Sequence, residues 1–464
     1  MVNETTWGGP STMSAWEALM WRAEVAPRTR STGILLEVLE SEPAWATVRE
    51  VFRVAVDQVP RLRERVVSPP VPVVQPFWAQ DPAFELDHHL RTERLRGGKD
   101  IRALLDHCER LIDPPIDQAR APWEAILITG LSEGRAALAM KFHHSLSDGQ
   151  GLIQLLDILH SSDLSSESDT APAKPNETTL VRKVGSDVTR LPGAAVRLAR
   201  LGLSTVAQVA GNPRGSVGQT ASFASSLARM LAPLPIGRSP LLTGGGNKSR
   251  YFVIEVSLAE IKAAGRQAEG SVNDAFVAAT LGGLRRYHEH HGVRRDRVPM
   301  SMPVSVRKAG DPAGGNRFAG IRFAAPMSEA DPAARIADIG HHVEALRREP
   351  ALSFLDHLAP TLTKLPTAAI VELSASLTSS VDLQISNIRG LEDRVSLADA
   401  PVAGMFPLGP RPGVAAMVAM ITYAGTCCIG VNVDPDVVPD DDVFEKCLRD
   451  GFHEVLDLAN EAAR

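Results

Sequence analysis

Four cysteines in 464 residues, Cys108, Cys427, Cys428 and Cys447, with no CxxC spacing, exclude the disulfide framework that staples small secreted domains and fit a reducing compartment. Lysine is also scarce. With 9 lysines against 40 arginines, no basic block and a net charge of −6, the chain lacks the broad cationic surface that nucleic acid requires. No apolar run is fit to cross a membrane: the longest, Val414 to Val433, is broken by Thr422, Gly425, Thr426, Gly430 and Asn432. It reads as two paired strands with a turn near Ala424-Gly425. The opening MVNETTWGGPSTMS has neither the basic nor the apolar region of a signal peptide, and no repeat of solenoid period is visible. What is present is core material, with 44% hydrophobic and 22% charged residues. The length exceeds what one core usually supports, about 250–300 residues, so two domains are expected.

Alternating strand and helix periods place the chain in the α/β class. Val48, Val51, Phe52, Ala55 and Val59 recur at helical spacing, as do Ile101, Leu104, Leu105, Cys108 and Leu111. Two apolar runs, 124–129 and 135–142, flank Gly130-Leu131-Ser132-Glu133-Gly134 and predict a β-hairpin. From Ser161 the composition turns to Ser, Asp, Glu, Pro and Thr, marking a linker. This divides the chain into an N-terminal domain, 1–160, a linker with crossover helices, 161–245, and a C-terminal domain, 246–464. In the last of these, strands are predicted at 251–256, 298–306 and 318–325, with a helix from Asn273 to His291 capped by Asn273, and a final helix carrying Phe444, Leu448, Phe452, Val455 and Leu458 on one face.

The string with chemical content is KFHHSLSDGQG, where an apolar strand stops at His143-His144-Ser145-Leu146-Ser147-Asp148-Gly149. A histidine fixed at a strand end can aim its ring into a cleft. Its ordinary pKa of about 6.5 lets it accept a hydroxyl proton near neutrality, which accelerates such a step by roughly 10²–10⁴. Asp148 comes round a tight turn and can hold it shut, and Gly149 removes a side chain where a ligand or backbone passes closely.

Competing features read as structure. Gly130–Gly134 satisfies G-x-S-x-G, but a nucleophile elbow needs strand-turn-helix and this one joins two strands. The His88-His89 pair lies in FELDHHLR with no DG after it, and fits strand-edge packing. None of the His pairs, 290/291 and 341/342 included, has the spacing of a zinc site, so no metal and no cofactor is expected. Gly244-Gly245-Gly246-Asn247-Lys248-Ser249 lacks phosphate-loop spacing and reads as a linker. The arginine-dotted 181–234 segment suits contact with a membrane or lipid-droplet surface.

HHSLSDG resembles the HHxxxDG active-site motif of the chloramphenicol-acetyltransferase-like CoA-dependent acyltransferases. The opening MSAWEALMWRAE, then SVNDAFVAATLGGLRRY, PVSVR, GGNRFAGIRF, QISNIRG, and FPLGPRPG before ITYAG resemble, in order, the bacterial wax ester synthase/diacylglycerol acyltransferase family. The family's PLWE stands here as Ala121-Pro122-Trp123-Glu124, its early Asp as Glu17, and its SNVPGP as Ser386-Asn387-Ile388-Arg389-Gly390-Leu391, which bears on acceptor and chain-length preference.

The resemblance implies two chloramphenicol-acetyltransferase-like domains, mixed sheets covered by helices, with an active-site tunnel at their interface. It implies transfer of a long-chain acyl group from acyl-CoA, as co-substrate, to a hydroxyl of diacylglycerol or a long-chain alcohol, without a covalent intermediate. His144 is then the general base, His143 a support of the turn, and Asp148 structural, paired with an arginine for which Arg307 is the candidate. Asn273 and Thr422 are candidate oxyanion donors, with Asp274 and Asn316 as supports. The expected location is cytoplasmic, peripheral to membrane or lipid droplets. Rival readings are another hydroxyl or amine acceptor, or a catalytically weak lipid-droplet-binding protein.

Overall fold

The computed structural model describes residues 7, 9–69, 74–161, 234, 236–305, 318–347, 359 and 362–461. In the N-terminal half, helix α1 (Ala15–Ala23) precedes strand β1 (Thr32–Leu39) and helix α2 (Trp45–Gln58). A ribbon of β2 (Glu64–Val67) and β3 (Phe77–Gln80) leads through one helical turn, α3 (Leu86–His89), to β4 (Leu90–Arg94) and α4 (Ile101–Ile112). The predicted hairpin follows as β5 (Trp123–Thr129) and β6 (Ala136–His143), and then α5 (Gly149–Leu159). Gly130, Glu133 and Gly134 all have positive φ, which confirms a turn around Ser132 and no elbow.

The C-terminal half runs β7 (Arg250–Ser257), α6 (Leu258–Gln267), α7 (Val272–His290), β8 (Arg297–Ser305), β9 (Phe318–Pro326), α8 (Pro332–Arg347) and α9 (Thr367–Thr378). It continues through β10 (Leu383–Ile388), β11 (Ser396–Leu397), β12 (Ala400–Leu408), β13 (Ala416–Tyr423), β14 (Thr426–Val433) and α10 (Asp441–Glu461). The long apolar run is the hairpin β13–β14, turned by Ala424 at φ 45° and Gly425 at φ 82°, the positive pair that a two-residue hairpin loop needs.

Both sheets have six strands and both are mixed. One has the order β11-β12-β1-β6-β5-β4, with β4 parallel to β5, and the other β7-β14-β13-β10-β8-β9, with β10 parallel to both neighbours. The division at 160 and 246 therefore does not divide the sheets, because β11 and β12 leave the C-terminal half and pair on the edge of β1. Val402, Met405, Phe406 and Leu408 are buried in the N-terminal core as a result. A linear reading cannot see a register such as Ile34 opposite Leu408.

In the second core α7 is buried nearly all round and crosses α10 at backbone contact: a Cβ on Gly283 would stand 2.6 Å from Leu448 Cα. All five residues predicted for the inner face of α10 are buried. Ile101 departs from its predicted face and is 44% exposed, because Asp100 caps α4 and turns its first residue outward.

Candidate active site

Strand β6 lies between β1 and β5, so His143 and His144 emerge from the middle of the N-terminal sheet. His143 pairs with Thr32 across the ladder, and the His144 N–H donates to the Ser31 carbonyl at 2.9 Å. The Leu146 N–H closes the turn on the His143 carbonyl at 2.9 Å.

The two imidazoles have opposite surroundings. His143 is fully buried, its Nδ1 accepting the Ser145 N–H at 3.0 Å and lying 2.7 Å from Ser145 Oγ. Its Nε2 is 3.3 Å from Glu24 Oε2, short of an aligned hydrogen bond. The Trp21 ring stands edge-on at 5.1 Å. His144 is half-buried, with the Phe142 ring 6.1 Å away. Burial, with His143 beside it, pushes the His144 imidazole down to about 4, against the upward pull of Asp148 and Glu24. At neutral pH the ring is a neutral acceptor, as a general base must be.

Asp148 caps α5: its Oδ1 accepts the Gly151 N–H at 2.9 Å, and the side chain is buried. Its charge also suits the positive end of the helix. Arg307, its expected partner, and Asn316 lie outside the described residues, as do 162–233, which hold most of the proposed surface-contact segment. Replacing Asp148 by Ala removes the cap and lowers stability by about 0.5–2 kcal/mol, whereas Asn, an equally good cap, keeps most of it. Thermal unfolding of the two variants measures this directly; equal melting temperatures for Ala and wild type would assign Asp148 to the chemistry instead.

Gly149 lies against a side chain of the other half: a Cβ there would stand 2.8 Å from Ile388 Cγ1. Ile388 ends β10, so the two halves meet at the start of α5. The same strand end collects other predicted residues. Asn387 Nδ2 donates to Asn273 Oδ1 at 3.5 Å, and the Gly390 N–H donates to Thr422 Oγ1 at 3.0 Å. That bond uses Thr422 as acceptor and leaves its hydroxyl hydrogen for a second partner. Asn273 Nδ2 also reaches Met302 Sδ at 3.8 Å. Asn273 is not the cap of α7. Ser271 is, in a capping box in which Asp274 Oδ2 accepts the Ser271 N–H at 2.9 Å and Oγ–H at 2.7 Å, so Asp274 is consumed by the helix start.

A cavity of about 630 Å³ is lined by residues of both halves. Glu24 and Thr32 form its wall next to His143, and Arg30, Arg110 and Lys248 stand among its other walls. Glu24, Ser31, Thr32 and Ile388 were not foreseen as site residues. Alternative nucleophiles fare poorly: burial pushes the Cys108 and Cys427 thiols up to about 12 and Cys428 to about 11, so these sulfurs stay protonated. His89 is packed between Phe84 and Trp123, its Nδ1 2.8 Å from the Trp123 carbonyl. Among the described residues the group with metal-ligand composition is His290, His291 and Asp440. It sits at the far end of α7, roughly 25 Å along the helix from Asn273.

Two mixed sheets joined at a strand exchange, with an HHxxxDG turn at the seam, define an acyltransferase of the chloramphenicol-acetyltransferase-like type. The sequence profile of the wax ester synthase/diacylglycerol acyltransferase catalytic domain matches residues 13–276, and that of the WS/DGAT C-terminal domain matches 314–455. A Mycobacterium tuberculosis H37Rv protein provisionally named a diacylglycerol O-acyltransferase is 36% identical over 459 residues, 96% of this chain and 91% of its own length. A structure of the wax ester synthase/diacylglycerol acyltransferase from Marinobacter aquaeolei VT8 superposes with a TM-score of 0.62 at 20% identity, covering 97% of this chain and all of that one. A condensation domain of the calcium-dependent antibiotic synthetase shares the fold, with a TM-score of 0.60 at 14% identity over 97% of this chain and 96% of its own. The chain belongs to the wax ester synthase/diacylglycerol acyltransferase family and is an acyl-CoA-dependent acyltransferase.

Proposed function

We propose that the protein moves a long-chain acyl group from acyl-CoA to the hydroxyl of diacylglycerol, forming triacylglycerol, or of a long-chain alcohol, forming a wax ester, in one ternary complex. The observation that carries this reading is the neutral, half-buried His144 at the end of β6 beside a fully buried His143. The acceptor hydroxyl gives its proton to His144 as its oxygen attacks the thioester carbonyl. The tetrahedral oxyanion forms near Thr422 and Asn273, which supply donors of the kind such an intermediate needs. Collapse breaks the C–S bond, and the imidazolium returns the proton to the departing sulfur, leaving ester and CoA thiol. No cofactor or metal takes part.

The acceptors are lipids, and the protein meets them at a membrane or droplet surface from the cytoplasmic side. The proposed contact is peripheral; among the described residues no helix is long and apolar enough to cross a membrane. The test incubates purified protein with long-chain acyl-CoA and a panel of diacylglycerol, long-chain alcohols, other alcohols and amines, identifying products by mass spectrometry. Triacylglycerol or wax ester, intersecting double-reciprocal plots and an unmodified chain after acyl-CoA alone are expected. A stoichiometric acyl adduct that passes to acceptor overturns the mechanism, and thioester hydrolysis alone overturns the assignment. Co-sedimentation with diacylglycerol-containing vesicles checks the surface contact.

A further inference from the structure

The mechanism above makes no use of a buried carboxylate placed behind the histidine pair. Glu24 terminates α1 and is almost wholly withdrawn from solvent. Its Oε2 accepts the Ser31 N–H at 2.6 Å, its Oε1 accepts the Thr32 hydroxyl at 2.7 Å, and Oε2 faces His143 Nε2 at 3.3 Å. Burial pushes this carboxyl up, but His143, the Ser31 N–H and the Thr32 hydroxyl together hold it below its ordinary range. The carboxylate is therefore ionised inside the protein.

Two connections run from this charge to the reacting histidine. One is the Ser31 peptide, whose N–H binds Glu24 and whose carbonyl accepts the His144 N–H at 2.9 Å. The other is His143. A backbone N–H can only donate, so the Ser145 N–H fixes His143 Nδ1 as an acceptor and leaves the ring hydrogen on Nε2, toward Glu24. Both ring nitrogens are thereby committed, and His143 has no lone pair for a substrate. Ser145, His143 and Glu24 have the make-up of a serine–histidine–acid triad, but Ser145 is fully buried and its own amide occupies the nitrogen a base would use.

We propose that Glu24 is a positioning residue for acyl transfer: it locks His143 as the neutral Nε2–H tautomer and stands as a fixed negative charge behind His144 when that ring becomes an imidazolium. This rests on His144 being the base. A preorganised charge aimed at the charge that develops during reaction stabilises the transition state more than the ground state, so it acts on kcat and leaves KM alone.

The experiment compares wild type, E24Q and E24D for kcat and KM with acyl-CoA, and reads the His143 ring nitrogens by NMR in 15N-histidine-labelled protein. The expected result is a kcat lowered about ten- to a hundredfold in E24Q with KM within about twofold, partial recovery in E24D, which keeps the charge, and an Nε2–H signature for His143 in wild type. A role in packing alone predicts the reverse order, because Gln preserves the shape of Glu and Asp does not. That order overturns the proposal, as does an unchanged kcat in E24Q, an acyl adduct on Ser145, or an Nδ1–H or doubly protonated His143. Should E24Q fail to fold, E24D and the wild-type spectrum decide. A wild-type protein that forms no ester, yet shows His143 as the Nε2–H tautomer, overturns the transfer reading and leaves the lock standing.

Discussion

His144→Ala lowers kcat by roughly 10²–10⁴ while thermal stability stays close to wild type. The backbone of this residue is held by its own N–H to the Ser31 carbonyl, which alanine retains, and the residue keeps some exposure to solvent. His143→Ala has the opposite signature. It deletes a fully buried ring from between Ser145 and Glu24 and removes one of the polar groups that face a buried carboxylate, so stability falls by about 1–3 kcal/mol while the direct loss of chemistry is smaller. The pH profile gives a third reading on the same residue. Only the neutral ring accepts a proton, so activity is lost as pH falls through the pKa of His144. With that value near 4 the plateau extends well below the point, about 6.5, at which an ordinary imidazole titrates. Initial rates across pH 4–8, with circular dichroism to exclude acid unfolding, test this. Retention of more than about a tenth of the wild-type rate in His144→Ala removes it as the base, given the usual size of the effect.

Local periodicity made much of this molecule legible. The helices α2, α4 and α10 and both hairpins stand where apolar spacing and turn residues place them, because each is stabilised by residues near in sequence. The catalytic turn was legible for the same reason: a strand, two histidines and an Asp-Gly all lie within one short run. What escaped was set at long range. The pairing of β12 with β1 joins residues more than 360 positions apart, and no local pattern separates a strand that stays in its own half from one that leaves it. Glu24 looks like any acidic residue at a helix end until Ser31, Thr32 and His143 close round it. The α7 cap was misplaced by two residues since Ser271 and Asn273 are both good caps, and Asp274, as the N3 partner of Ser271, was the discriminating signal.

The seam between the halves gives the second large effect. Gly149→Ala places a methyl group 2.8 Å from Ile388 Cγ1, 3.0 Å from Cδ1 and 3.1 Å from Cγ2, distances at which carbon atoms cannot remain. Cγ1 and Cγ2 are bonded directly to the β-carbon of a strand residue, so rotating the tip of the chain does not clear the clash. Either α5 or the end of β10 must move. Moving α5 tilts the Asp148 cap and the turn that holds His144, while moving β10 shifts Asn387 against Asn273 and Gly390 against Thr422. Overpacking of this kind costs about 1–3 kcal/mol. Expressed in the ternary complex, that is about a ten- to hundredfold loss in kcat/KM. Ile388→Ala alone leaves a void and lowers activity for a different reason. In Gly149→Ala/Ile388→Ala the new methyl occupies part of the space vacated, so the double variant is more active than the product of the single effects predicts, with a coupling of about 0.5–3 kcal/mol. A packing contact at the seam requires this coupling, and a glycine kept open for substrate does not: there, removing Ile388 leaves the obstruction in place. Strict additivity of the two substitutions in kcat/KM would return Gly149 to the substrate path.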